Sequence, residues 1–137
     1  MTVTRLAQLE GAWRLTRRID DALQAETGRL SGEAQFTYRD GLWHYTETGD
    51  LEFAGRPTLR ASREYRYIEI DGGAEVQFAN GAPFHVFYWQ TASASHFCDP
   101  DTYEVNYDFS GWPNWSSEWT VSGPRKKYVM QSRYSRT

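Results

Sequence analysis

The sequence predicts an all-β fold: one antiparallel up-and-down β-barrel of about nine or ten strands, with a short N-terminal helix, spanning residues 1–137 as a single domain. Three observations carry this. Trp, Tyr and Phe supply 22 residues and outnumber the 19 large aliphatics. Most rings recur at every second position, as in Trp43/Tyr45, Tyr103/Val105/Tyr107/Phe109 and Trp115/Trp119. That spacing marks strands with one face buried. Finally, the apolar segments are separated by turns of hairpin length, which makes a meander, and closing a meander into a barrel removes its exposed edges. A β-sandwich competes, but it needs longer crossover loops than this chain offers.

The elements follow in order. Thr4 can cap a short helix carrying Leu6 and Leu9, with Gly11 as its stop. The first strand covers residues 11–20, and a polar turn runs through Glu26-Thr27-Gly28. Gly32, Ala34, Phe36 and Tyr38 then share one face. Asp40-Gly41 is a favoured two-residue hairpin into residues 42–47, where Trp43, Tyr45 and Glu47 face together. After Gly55-Arg56-Pro57, residues 58–70 place Ala61, Arg63, Tyr65 and Tyr67 on one face. Asp71-Gly72-Gly73 and Asn80-Gly81 mark the next turns. Residues 83–89, 95–98, 102–109, 115–121 and 126–136 complete the strands, with Asp99-Pro100-Asp101 and Ser122-Gly123-Pro124 as turns.

Composition excludes several classes. The net charge is −3, which argues against a nucleic-acid binder with its concentrated basic face. Cys98 is the single cysteine, so no internal disulfide forms. The N-terminal residues lack the apolar core of a secretory signal, and apolar runs such as 84–89 are too short to span a bilayer. A cytoplasmic protein that contacts no membrane is expected.

Two resemblances bear on the fold. The helix followed by Gly11-Ala12-Trp13 resembles the start of lipocalins and their calycin relatives. In that group the helix closes one barrel end and the Trp packs beneath it against an Arg of the last strand, here Arg133 or Arg136. Along most of the chain, Tyr45-x-Glu47-x-Gly49, Ala61-x-Arg63-x-Tyr65, Phe84-His85-x-Phe87, His96-x-Cys98-x-x-Asp101-x-Tyr103 and Trp119-x-Val121-x-Gly123-Pro124-Arg125-Lys126 are similar to a family of small bacterial and fungal domains of unknown function. The resemblance implies a calycin-like barrel and brings no activity with it.

Chemistry-bearing groups are few. His85 and His96 can move protons near neutral pH or anchor a ligand. Asp99, Asp101 and Tyr103 follow His96 closely. Either His can equally make a structural hydrogen bond, and Asp99-Pro100-Asp101 can simply build a turn. No Cys/His array suggests a metal, no haem motif appears, and no dinucleotide or phosphate loop is present, so no cofactor is expected. Glu47 and Arg63, if they face inward, must be paired. Arg63 then either braces the barrel against Glu47 or meets an anionic ligand. The favoured reading is a protein that holds an unidentified small amphipathic or aromatic molecule in an aromatic-lined barrel pocket. Its expected contacts are Tyr45, Arg63, His85, His96, Asp101, Tyr103 and Trp119. The alternatives are an enzyme using His85 or His96 with Asp101, and a scaffold or homodimer built on the strand 84–89, which is apolar on both faces.

Overall fold

A computed structural model describes residues 3–137; Met1 and Thr2, where the stretch read for a secretory signal begins, lie outside the described residues. Ten strands form one antiparallel sheet: β1 (Gly11–Asp21), β2 (Glu26–Arg39), β3 (Leu42–Phe53), β4 (Leu59–Ile70), β5 (Gly73–Phe78), β6 (Pro83–Tyr88), β7 (Ser93–Cys98), β8 (Asp101–Asp108), β9 (Trp115–Ser122) and β10 (Lys127–Arg136). Their order is β6-β5-β4-β3-β2-β1-β10-β9-β8-β7, so β1 and β10 pair and the meander curls round on itself. The expected closure is nearly complete. At the seam, β6 and β7 lie side by side without a backbone ladder, and side chains bridge it, with Phe84 and His96 rings 5.3 Å apart.

The Asp40-Gly41 hairpin forms as expected, with both residues at positive φ (56° and 83°), the backbone that a right-twisted two-residue turn demands. The first turn lies earlier than the sequence suggested. Asp21 Oδ1 accepts the backbone N–H groups of Leu23 and Gln24, each at 3.0 Å, so the chain reverses over residues 22–25 and Glu26-Thr27-Gly28 already belong to β2. An Asp side chain that satisfies backbone donors two and three residues on fixes a turn without Gly. Tyr38 departs too: it is 58% exposed, because β2 runs past the barrel rim and the ring lies against Trp43 from outside the core.

The N-terminal helix is a single 3-10 turn, Leu6–Leu9, with Arg5 and not Thr4 at the cap position. Gln8 reaches back instead, and its Oε1 accepts the backbone N–H groups of Thr4 (2.7 Å) and Arg5 (3.1 Å). Leu6 and Leu9 are buried and plug one end of the barrel. Trp13 sits beneath them, fully buried, and its indole N–H donates to the Leu9 carbonyl at 2.9 Å. Arg136 is the arginine of the last strand that covers it: the guanidinium lies 3.7 Å from the ring centroid and donates to the carbonyls of Glu10 (2.7 Å) and Gln8 (3.0 Å). It thus fastens the plug to the rim through both a cation–π contact and two hydrogen bonds.

The barrel centre is filled, so the expected aromatic-lined pocket does not lie there. Rings stack along each wall, Trp115 on Tyr134 at 3.8 Å and Phe36 edge-on to Tyr45 at 5.0 Å, and they meet across the interior where Phe36 of β2 lies 6.3 Å from Trp115 of β9. A charged pair lies among them. Arg17 on β1 donates to both oxygens of Glu47 on β3 (2.6 and 3.0 Å) and to Ser132 Oγ on β10 (2.7 Å). Tyr45 donates to Glu47 at 2.7 Å, and its hydroxyl lies 2.8 Å from that of Tyr134. Burial disfavours the Glu47 carboxylate, but the Arg17 guanidinium overrides it and holds the pKa below the usual range.

Removing one member of this pair leaves a buried charge with no counterpart. Glu47→Gln or Arg17→Met alone is therefore expected to cost about 3–5 kcal/mol, measured by urea unfolding. The double variant should recover most of that loss. A double variant no more stable than the worse single would show that the two side chains do not act as a pair.

Candidate functional site

The barrel is plugged at the end that carries Leu6 and Leu9 and open at the other. At the open mouth a cavity of about 250 Å³ is lined by Arg63 and Tyr65 of β4, Phe78, Phe84, Cys98, Tyr103, Trp119, Tyr128 and Met130. Alternation accounts for most of the lining, since each strand sends every second side chain inward. Phe84 needs more. The β5–β6 register shifts between Val76 and Gln77, so that Val76 faces His85 and Gln77 faces Pro83. This bulge turns two consecutive residues, Phe84 and His85, to the inside. It also explains why the strand 84–89 reads as apolar on both faces: Val86 and Tyr88 are the outward residues, 42% and 50% exposed.

The rings at the mouth are ordered. Phe84 stacks on Phe78 (4.4 Å, 19°) and on Trp119 (5.1 Å, 18°), which makes a row of three nearly parallel planes. His96 stands edge-on to Phe84, and its ring lies 6.4 Å from that of Tyr103. Lys126 joins from the β9–β10 turn, with its amino group 3.4 Å from the Tyr103 hydroxyl and 3.2 Å from Asp101 Oδ2.

The seven expected site residues therefore divide. Arg63, Tyr103 and Trp119 line the mouth, His96 stands behind Phe84, and Asp101 is engaged by Lys126. Tyr45 and His85 lie deeper, bordering an interior space of only about 20 Å³. The His–Asp pairing that acid–base chemistry requires is not assembled. His85 Nε2 lies 2.9 Å from the Tyr107 hydroxyl, and neither His has a carboxylate among its hydrogen-bond partners in the described residues. Glu47 does not pair with Arg63, as the sequence allowed, but with Arg17. Arg17 was missed as a candidate, although its shared parity with Trp13 and Leu15 marks it as inward-facing. Tyr65, Phe78, Phe84, Cys98, Tyr128 and Met130 were also missed as lining residues. A wider depression of about 450 Å³ lies outside the barrel, over Arg14, Asn114 and Arg133 beside the 109–114 loop. It lies on the outer face of the barrel, with Trp115 and Tyr134 among its lining residues. No group of three or more His, Cys, Asp or Glu that could hold a metal occurs among the described residues. No helix among them is long and apolar enough to cross a membrane.

Burial lowers the pKa of His85 to about 3, with a smaller contribution from His96. The folded protein thus keeps this imidazole neutral while the unfolded chain protonates it near 6.5. Stability is fully present above pH 6.5 and falls as pH drops toward 3, with a slope that approaches about 1.4 kcal/mol per pH unit. Urea midpoints measured from pH 7 to 5 should show this decline, and His85→Gln should flatten it. An undiminished slope in the variant would assign the effect to another group.

The comparisons with known proteins agree with the architecture. An S-type phycobiliprotein lyase from Guillardia theta has a similar fold, with a TM-score of 0.66 at 10% identity over 96% of this chain and 89% of that one. At that identity the likeness is one of fold. No curated protein matches the sequence. The model of a family of unknown function, DUF6314, matches residues 9–136, and the chain belongs to that family.

Proposed function

We propose that this protein binds a small amphipathic or aromatic molecule at the open mouth of its barrel. The observation that carries this reading is the cavity of about 250 Å³ walled by Tyr65, Phe78, Phe84, Tyr103, Trp119 and Tyr128. Apolar rings left facing solvent at the rim lose burial that a ligand would restore, at about 25 cal/mol per Å² covered. Binding sites of this kind are concave, mostly apolar, and carry a few polar groups that orient the ligand. Here Arg63 and the Tyr103 hydroxyl are those groups. The volume lies just below the usual range for drug-sized ligands, about 300–1,000 Å³, so the molecule is small.

The calycin-like barrel supports this reading as a scaffold, since barrels of eight or so strands hold single small ligands at their mouths. The plug end is covered by Leu6, Leu9 and Trp13, and the Arg17–Glu47 pair fills the centre, so a ligand enters from the Trp119 side. Acid–base catalysis draws no support from the arrangement of His85, His96 and Asp101.

Cys98 gives a direct test, because it lines the cavity and is the single cysteine. 2-Naphthol should quench tryptophan fluorescence saturably and slow alkylation of Cys98 by N-ethylmaleimide. Protein carrying a bulky maleimide on Cys98 should bind the probe about tenfold more weakly, or worse. Equal binding before and after labelling would rule out the mouth as the site.

A further inference from the structure

Building on that mouth reading, we infer that the ligand is a planar aromatic carboxylate of one or two fused rings. Its carboxylate lies on Arg63 and its ring face lies against Trp119, at the end of the Phe78–Phe84–Trp119 row.

The charge argument starts from strand register. Glu47 stands directly opposite Arg63 in the β3–β4 ladder, and opposite charges facing each other across a sheet ordinarily pair. Here that partner is taken. Both Glu47 oxygens accept from Arg17, and one accepts from Tyr45 as well. Arg17 and Glu47 neutralise each other inside the barrel, which leaves the Arg63 charge unbalanced. Among the described residues, the hydrogen-bond partner of the Arg63 guanidinium is Met130 Sδ at 3.7 Å, a weak acceptor for an ionised donor. Among the described residues that line the cavity, Arg63 is the charged one; beside it, Lys126 and Asp101 are bound to each other at 3.2 Å. One guanidinium is thus free to receive one anion.

Geometry then selects the kind of anion. A single planar fork matches a carboxylate in bidentate fashion, whereas a phosphate dianion calls for a second cation, and Arg63 is the one cation among the described residues that line the cavity. The neighbouring surface is a row of parallel rings whose middle member, Phe84, is covered on both faces, so a planar ligand finds its offset-stacked place on the outer face of Trp119. Size sets the upper bound. A closed cavity of about 150 Å³ takes one benzene ring, so about 250 Å³ with an open side accommodates one ring or a fused pair.

The test compares 2-naphthoate with 2-naphthamide, which have the same shape and differ in charge, by tryptophan fluorescence titration and calorimetry on the full chain at pH 7. Naphthoate should bind about tenfold tighter or better. Arg63→Gln should remove that advantage and leave the amide unchanged, while Arg63→Lys should retain part of it. Arg63 is an exposed side chain, so these variants should fold, and circular dichroism confirms it. Equal affinity for the two probes, or an advantage that survives Arg63→Gln, overturns the carboxylate assignment while leaving the mouth as a binding site. If neither probe binds, or if both bind undiminished after Cys98 is blocked, the mouth reading itself fails and this inference with it.

Discussion

A guanidinium and a carboxylate enclosed in a barrel of aromatic rings have no water to fall back on, so each must find all its partners in the protein. Arg17 and Glu47 do so. The guanidinium spends its donors on Glu47 and Ser132, and the carboxylate takes up Arg17 and the Tyr45 hydroxyl. Four strands contribute: β1, β3 and β10 directly, and β2 by keeping out of the way. Between β1 and β3, the inward positions of β2 include Gly32 and Ala34, side chains too small to obstruct the reach. A dry pair of this kind stabilises little in net terms, because desolvation offsets most of the attraction. What it does is set the geometry, since any slip in register would strand a charge among rings.

That central pair also divides the barrel into two ends with different tasks. Toward the N-terminus the space is sealed by Leu6 and Leu9 over Trp13, with Arg136 clasping both plug and rim. Toward the 98–101 and 122–126 turns, the rings stop short of filling the section and leave the mouth cavity. The two arginines therefore play opposite parts. Arg17 is buried and fully committed, and by holding Glu47 it deprives Arg63 of the partner that strand register offers. The same local chemistry that closes the centre leaves a charge available at the opening.

Much of this was legible in the alternation of residues. The rings at every second position, the Asp40-Gly41 hairpin and the Gly11-Ala12-Trp13 opening each specify a local geometry that the fold keeps. Three features escaped because they depend on long-range choice. Parity places Arg17, Glu47 and Arg63 all on inward faces but cannot say which arginine wins the carboxylate; that follows from which side chain can cross β2. The filled centre escaped for a related reason. Ring spacing gives no account of how rings from opposite walls meet, and here Phe36 of β2 packs against Trp115 of β9. His85 was read as a ligand contact because His is versatile; a bulge carried it inward, against Tyr107. The signal for that bulge lay in the loss of alternation at Phe84-His85-Val86-Phe87, where strict period two gives way for one step.

The bulge ties the site to the core. With regular pairing along β6, only one of Phe84 and His85 could face inward. A barrel with His85 alone would lack the middle plane of the Phe78–Phe84–Trp119 row, and the mouth would have no continuous stacking surface. A barrel with Phe84 alone would leave Tyr107 without its imidazole neighbour. One extra residue satisfies both demands, at the edge strand where the ladder is already interrupted and a disruption costs least. The seam that keeps the barrel from closing completely is thus the place where the sheet can bend enough to build a ring-lined opening above a filled interior.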